Sequence, residues 1–317
     1  MTEYILRDFV TKAKTQKTTI AEIVKQYEKE NFKRTDKEMV NKLNNSIKTF
    51  YTGVNTGLKG NYKFKNLMFS SDSMKLNNKK TRILGNTLHK ACVYALAITE
   101  NNLNMGTVIA CPTAGSSGIV PGCILAVAQD YGCSEKDIQN ALLTASAIEL
   151  SIIKNASISG AAHGCQGECG SATAMAAGAI IHLLYKDNTN PEMVENAAAL
   201  ALKNMLGLVC DPVAGVVSVP CRKRNATSIG IAFVAAQMAL SGIKSYIPFD
   251  EVASAMDEIG RRMDDELKET ARGGLAKTKT GKKWETKKAK LLEEAEKNKQ
   301  SFADILKSKK EADKTIQ

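Results

Sequence analysis

The stretch that most constrains the fold runs from Ile158 to Cys221. It opens with Ser159-Gly160-Ala161-Ala162-His163-Gly164-Cys165-Gln166-Gly167-Glu168-Cys169-Gly170. It closes with Cys210-Asp211-Pro212-Val213-Ala214-Gly215, then Val216-Val217-Ser218-Val219-Pro220-Cys221. Between these Gly- and Pro-rich turns lie two segments of helical period, about Ser171–Tyr185 and Pro191–Leu206, rich in Ala. Cysteine-bearing turns held on Ala-rich helices require an interior of closely packed helices. Composition agrees: 44% of residues are hydrophobic but only 5% aromatic, with one Trp. An aliphatic core of small side chains suits helix–helix packing better than a β-sandwich. The expected class is all-α, with the turns lodged between helices.

The chain has eight cysteines. Met1-Thr2-Glu3-Tyr4 leads into charged, helix-like sequence, so no secretory leader is expected. Thiols in such a chain point to a reducing, cytoplasmic setting rather than a disulfide framework. Cys92, Cys123 and Cys133 fall in or beside helical segments and read as small buried hydrophobes. Cys111 precedes Pro112 in a loop near the candidate site, which does not make it a ligand. Cys165, Cys210 and Cys221 lie among Gly and Pro, where the backbone can wrap a metal centre, and Cys169 follows Cys165 by four. No C-x2-C pair occurs, so zinc-ribbon and ferredoxin spacings are absent. Spacing alone leaves zinc, iron–sulfur and structural thiols all open. An iron–sulfur cluster on three thiolates would leave one iron open as a Lewis acid, suited to dehydration or isomerisation rather than electron transfer.

The formal charge is +11, from 44 Lys+Arg against 33 Asp+Glu. The lysines concentrate at the two ends and alternate with acids, as on a solvated surface. Nucleic-acid binding would need a focused basic motif with stacking partners, and is not expected. The apolar runs near Ser171–Tyr185 and Ile229–Ile243 fall short of the roughly 18–20 residues of a membrane span and read as core helices.

Three regions follow: a helical N-terminal region over 1–70, a central domain over 71–281 that carries the cysteine turns, and a Lys-rich helix or tail over 282–317. Thr35-Asp36-Lys37-Glu38 is a capping-box pattern, and Thr52 to Gly57 reads as a stop. Ser70 to Leu76 reads as a polar loop. Ser134-Glu135-Lys136-Asp137 starts another helix, Asn190-Pro191 a further one, and Asp250 is expected to cap the helix that ends at Arg262. His89 and His182 sit on apolar helical patterns and read as core histidines.

Several blocks together resemble the iron–sulfur-dependent L-serine dehydratases. They are Cys111-Pro112-Thr113-Ala114-Gly115-Ser116-Ser117-Gly118-Ile119-Val120-Pro121-Gly122, Ser157-Ile158-Ser159-Gly160-Ala161, Gly164-Cys165-Gln166-Gly167-Glu168, Cys210 to Gly215 with Val219-Pro220-Cys221, and Arg272-Gly273-Gly274-Leu275-Ala276. They run in family order between about Ser73 and Gly281, and the likeness is to the alpha chain of the two-chain form. The resemblance implies an all-helical catalytic domain, a [4Fe-4S] cluster on Cys165, Cys210 and Cys221 with Cys169 ranked fourth, and a separate beta chain in a hetero-oligomer. It also implies conversion of L-serine to pyruvate and ammonia. Thr113, Gly115, Ser116 and Ser117 could then hold the substrate carboxylate through hydroxyls and backbone N–H groups, with Ser157 and Ser159 adding donors. Arg272 could clamp the carboxylate. The base that takes the Cα proton is not identified by the pattern. His163 is a candidate on its chemistry alone, and a base from the beta chain is the alternative.

Competing readings are an L-cysteine desulfidase on the same fold and a pyridoxal-phosphate dehydratase, which needs a Schiff-base lysine and phosphate loop that Gly115-Ser116-Ser117-Gly118 imitates only in part. A basic binding protein with structural cysteines is the remaining alternative.

Overall fold

The computed structural model describes residues 4–60, 68 and 70–297. Among them are thirteen α-helices and no strand. They are α1 (Leu6–Thr15), α2 (Ile20–Phe32), α3 (Asp36–Lys59), α4 (Asp72–Asn78) and α5 (Asn86–Leu103). Then come α6 (Ile119–Asp130), α7 (Glu135–Asn155), α8 (Gly160–His163), α9 (Ser171–Tyr185) and α10 (Pro191–Lys203). The last are α11 (Cys221–Leu240), α12 (Phe249–Arg262) and α13 (Lys279–Lys297). The expected all-α class is what the chain adopts.

Helix α9 is the axis of the molecule. Every residue from Ser171 to Leu183 is buried, and α6, α7, α10 and α11 pack around it. A helix apolar on all sides belongs at a centre. Its small side chains let neighbours approach: a Cβ on Gly178 would lie 2.4 Å from Ile148 Cδ1 of α7 and 3.1 Å from Val194 Cγ1 of α10. Helices α3, α4, α6 and α11 surround α5 in the same way. The N-terminal helices share this core: Leu6, Phe9, Ile20 and Ile23 are buried with residues of α5 to α12. An aromatic cluster sits there, with the Tyr4, Phe9 and Tyr27 rings 5.1 to 5.7 Å apart.

Local side-chain caps start α2, α3, α7 and α10. Thr35 Oγ1 accepts from Glu38 N, and Glu38 Oε2 accepts from Thr35 N at 2.8 Å. Ser134 and Asp137 repeat that box, and Asn190 caps α10 with Pro191 at its first position. Four expectations need correction. Thr52 to Gly57 is no stop: α3 runs on to Lys59, because Gly57 faces α5, where a Cβ would meet Ala97 O at 2.2 Å. Most of the expected loop over 70–76 belongs to α4, whose start is held by Glu100: Asp72 N and Ser73 N donate to its Oε1 at 2.7 and 3.0 Å. Asp250 caps α1 rather than its own helix, accepting from Leu6 N at 3.1 Å and Arg7 N at 3.0 Å. Cys221 is the first residue of α11 and not part of a loop.

His182 is a core histidine, 1% exposed, with Nδ1 3.1 Å from Thr144 Oγ1. Burial drives its ring down to about 4, so the fold holds it neutral. In the unfolded chain the ring takes a proton near its usual pKa of about 6.5. The unfolded state therefore binds the proton that the fold refuses. The stability is fully present above about pH 6.5 and is lost as pH falls toward about 4. The expected loss over that window is ~3 kcal/mol. Urea unfolding of wild type and H182Q across the window checks it: the wild-type curve falls more steeply with acid, and equal slopes would refute the assignment.

Candidate active site

The first cysteine loop leaves α8 at Gly164 and passes Cys165 into a single π-helical turn, Gln166–Gly170, that runs on into α9. Such turns often mark functional sites. Gln166 is fully buried and pins the turn: its N–H donates to Leu208 O at 2.9 Å, its Nε2 to Met256 O at 3.0 Å, and its Oε1 accepts from Gly207 N at 2.9 Å. Gly167 lies under the Ser157–Ser159 loop, where a Cβ would be 2.8 Å from Ser157 O. The expected donors Ser157 and Ser159 are thus beside the cysteine turn. Both are half-buried, and Ser157 Oγ accepts from Ser159 N at 3.1 Å.

The second loop is pinned by segment 265–277. Cys210 N donates to Leu267 O and Glu269 N to Cys210 O, both at 2.8 Å. Asp211 Oδ2 accepts from Leu275 N at 2.8 Å. A Cβ on Gly274 would lie 2.4 Å from that oxygen, and one on Gly273 2.5 Å from Glu266 O, which explains the paired glycines. Arg272, the expected clamp, is exposed.

Cys165, Cys169, Cys210 and Cys221 are free and buried, at 1 to 8% exposure. The Cys165 and Cys169 Sγ atoms lie 3.4 Å apart, within hydrogen-bond reach. That bond, helped by the Arg224 guanidinium, holds Cys165 below the usual thiol range against the cost of burial. The same bond and burial push Cys169 well up. Burial, then the charges of Cys165 and Glu168, push Cys221 up to about 12 and Cys210 up as well. These thiols feel one another's charge, so ionising one opposes ionising the next. Their common ionisation needs a soft cationic centre among them, and a buried, unpaired thiol set of this kind fits an iron–sulfur cluster.

The loop 113–118 lies against this set. Thr113 Oγ1 donates to Glu168 Oε1 at 2.8 Å and lies 3.1 Å from Ser116 Oγ. Ser116 Oγ also donates to Cys111 O at 3.1 Å. Ser117 Oγ is buried with no hydrogen-bond partner among the described residues. Asn225 ties the loop to the Cys221 helix: its Nδ2 donates to Gly115 O at 2.8 Å and Cys221 O at 3.0 Å, and its Oδ1 accepts from Gly118 N at 3.0 Å. Thr113, Gly115 and Ser116 therefore meet the cysteine loops.

His163 faces elsewhere. Its Nε2 lies 2.7 Å from Asp257 Oδ1 on α12, and a Cβ on Gly260 would touch its ring at 2.3 Å. The carboxylate beside the thiols is Glu168. A Cβ on Gly115 would lie 3.1 Å from its Oε1, and one on Gly160 2.9 Å from its Oε2, so two glycines leave it room. Glu168, Cys210 and Glu269 bring ligand atoms within 4.8 Å of one another. Burial raises the Glu168 pKa; the Thr113 hydroxyl opposes this and the Glu269 charge adds to it.

Sequence reasoning missed Glu168, Asp211, Arg224, Asn225 and Glu269 as site residues. Glu168 and Asp211 stood inside quoted motifs. Arg224 and Asn225 follow Cys221 by three and four, on the same helix face, which was a usable signal. Arg224 Nη2 pairs with Asp211 Oδ1 at 2.9 Å, its Nη1 donates to Val209 O at 2.8 Å, and the side chain reaches Cys165. Nothing near Glu269 in the sequence announced it.

The family described as "Serine dehydratase alpha chain" matches residues 15–276. The chain is 40% identical over 285 residues to a "Probable L-serine dehydratase, alpha chain" of Bacillus subtilis, covering 89% of this chain and 94% of that one. It is 45% identical over 215 residues to the "L-serine dehydratase, alpha chain" of Peptoniphilus asaccharolyticus, covering 68% and 73%. A Streptomyces coelicolor "L-serine dehydratase" is 45% identical over 187 residues, 58% of this chain and 40% of that longer one. No helix among the described residues is long and apolar enough to cross a membrane. With its thiols, hydroxyl loop and carboxylate gathered in one place, the chain belongs to the serine dehydratase alpha-chain family.

Proposed function

We propose that this chain is the catalytic subunit of an L-serine dehydratase, a lyase that converts L-serine to pyruvate and ammonia. The observation that carries the reading is the convergence of four free buried thiols with the Thr113 loop and Glu168, in a chain of this family. Cys165, Cys210 and Cys221 are the residues that would hold a [4Fe-4S] cluster, with Cys169 hydrogen-bonded to Cys165. When bound, the cluster would supply an open iron as Lewis acid toward the substrate hydroxyl.

The chain's own residues do the rest. The hydroxyls and N–H groups of 113–117 hold the substrate carboxylate, with the exposed Arg272 on the segment that pins Cys210 as a further cation for it. Glu168, with Glu269 and the Thr113 hydroxyl beside it, is the carboxylate we assign to carry a proton during the reaction. His163 is occupied by Asp257. In the reaction the Cα proton goes to a base, the Cβ–O bond breaks and water leaves. The enamine so formed tautomerises and hydrolyses. The partner is a separate beta chain, and the setting is cytoplasmic.

The experiment is anaerobic loading with iron and sulfide, alone and with a beta chain. Pyruvate from L-serine is assayed beside sulfide from L-cysteine. The expected result is a brown protein that prefers L-serine and loses activity in air while its helicity persists. A colourless protein without turnover in either preparation overturns the reading, and so does a pyridoxal-phosphate absorption band. Faster sulfide release would select the desulfidase instead.

A further inference from the structure

The Lys-rich C-terminal segment reads from sequence as a solvated helix or frayed tail. Its helix α13 lies beyond the residues matched to the family, and residues 298–317 lie outside those described. The helix is not simply solvated. Leu291 is 3% exposed, and α13 packs on the turn Val213–Gly215 and on Gly274–Lys277.

Its first turn lies against the Arg272–Ala276 segment. Thr278 Oγ1 donates to Leu275 O at 2.8 Å and accepts from Gly281 N at 3.0 Å. A Cβ on Gly281 would lie 2.5 Å from Leu275 O, so the approach is close. Leu275 in turn donates its N–H to Asp211, next to Cys210. Two turns further along α13, Lys288 Nζ donates to Ala214 O at 2.9 Å. Ala214 and Gly215 both lie in the left-handed region, at φ +56° and +62°. That conformation disfavours Ala and needs surrounding contacts to persist. The same C-terminal segment therefore holds Asp211 at one point and Ala214 at another. Between them runs the turn that sets the spacing of Cys210 and Cys221.

We infer that α13 is a clamp on the second cysteine loop, with the Lys288 ammonium as its positioning contact at Ala214. It keeps the loop in the shape in which Cys210 and Cys221 serve as ligands. Lys288 does not touch the thiols and acts through the Ala214 carbonyl. The consequence for metal retention rests on the cluster reading above; the consequence for loop order does not.

The test uses full-length wild type, Lys288→Met and Lys288→Arg. Met keeps the apolar stem that packs on the loop and removes only the ammonium. Arg keeps a charged donor. Amide exchange is measured on protein carrying no iron, at Gly215, Val216 and Ser218, whose N–H groups donate to Pro212, Val213 and Val216 carbonyls. Exchange in Lys288→Met should rise about tenfold, the effect of losing one charge-assisted hydrogen bond, while the thermal midpoint hardly moves. Lys288→Arg should return it close to wild type. In loaded protein, chelator-driven iron release should quicken several-fold in Lys288→Met and be restored in Lys288→Arg. Unchanged exchange in Lys288→Met overturns the proposal. So does failure of Arg to rescue, or iron release at the wild-type rate despite a loosened loop. Wild type that takes up no iron would sink the cluster reading instead, and the exchange measurements would still decide the role of α13.

Discussion

Single replacement of Cys165, Cys210 or Cys221 by Ala is expected to leave a helical protein that no longer holds its full iron and turns over L-serine well over about a hundredfold more slowly. Even the outer partners of metal ligands are worth about 10–100-fold, and a ligand carries the centre itself. Folding should survive. Each thiol is small, and without iron these neighbours oppose one another's ionisation rather than support it. The lost packing amounts to about 1 kcal/mol. Cys169→Ala is the contrast. It removes the hydrogen-bond partner of Cys165 and should retain iron more weakly without abolishing loading. Iron counted per chain after anaerobic loading, beside far-UV circular dichroism, separates the cases. Full iron in all three Ala variants would falsify the ligand set.

The second large effect lies just behind Cys221. Glu100 is 0% exposed and Arg222 is 1% exposed. Glu100 accepts from Asp72 N and Ser73 N, from Ser73 Oγ at 2.5 Å, and from Arg222 Nη1 at 3.4 Å. Arg222 also donates to the carbonyls of Ser70 and Met68 at 3.1 and 3.0 Å. Glu100→Ala strips a buried guanidinium of one of its two carboxylates, leaving Asp72 Oδ2 at 3.4 Å, and leaves two helix-start amides without their acceptor. Breaking such a buried pair costs about 3–5 kcal/mol. Glu100→Gln keeps an acceptor and should cost clearly less. Because Arg222 follows Cys221 directly, the Ala variant should also load iron poorly at temperatures where it is still folded. Urea titration of both variants reads the stability. If Glu100→Ala lies within about 0.5 kcal/mol of wild type, the network does not bear the load assigned to it.

The two effects differ in how visible their residues were. Cys165, Cys210 and Cys221 stood out because Gly and Pro around them announce turns. Glu100, near the end of α5, and Arg222, directly after Cys221, carry no local signal of their role. Burial of a charge is a property of what surrounds it, and the surroundings come from 122 positions away. His163 was attractive for its chemistry and its place in the motif. Its ring turned instead to Asp257, 94 positions away on α12.

By itself the sequence determined the helical class, the starts of α3, α7 and α10 and the identity of the thiol loops. Each of these is set by local chemistry: the apolar period, a side chain that caps its own helix, or a Gly or Pro that bends the chain. Only the tertiary structure decided that α3 runs through its glycines onto α5 and that Asp250 caps a helix 244 positions away. It also decided that Glu168 and Glu269 share the site and that a lysine-rich C-terminal helix grips the second cysteine loop. The physical reason is common to these cases. A carboxylate or an ammonium takes its role from whichever partner packing brings within hydrogen-bond reach, and residue spacing along the chain does not encode that partner.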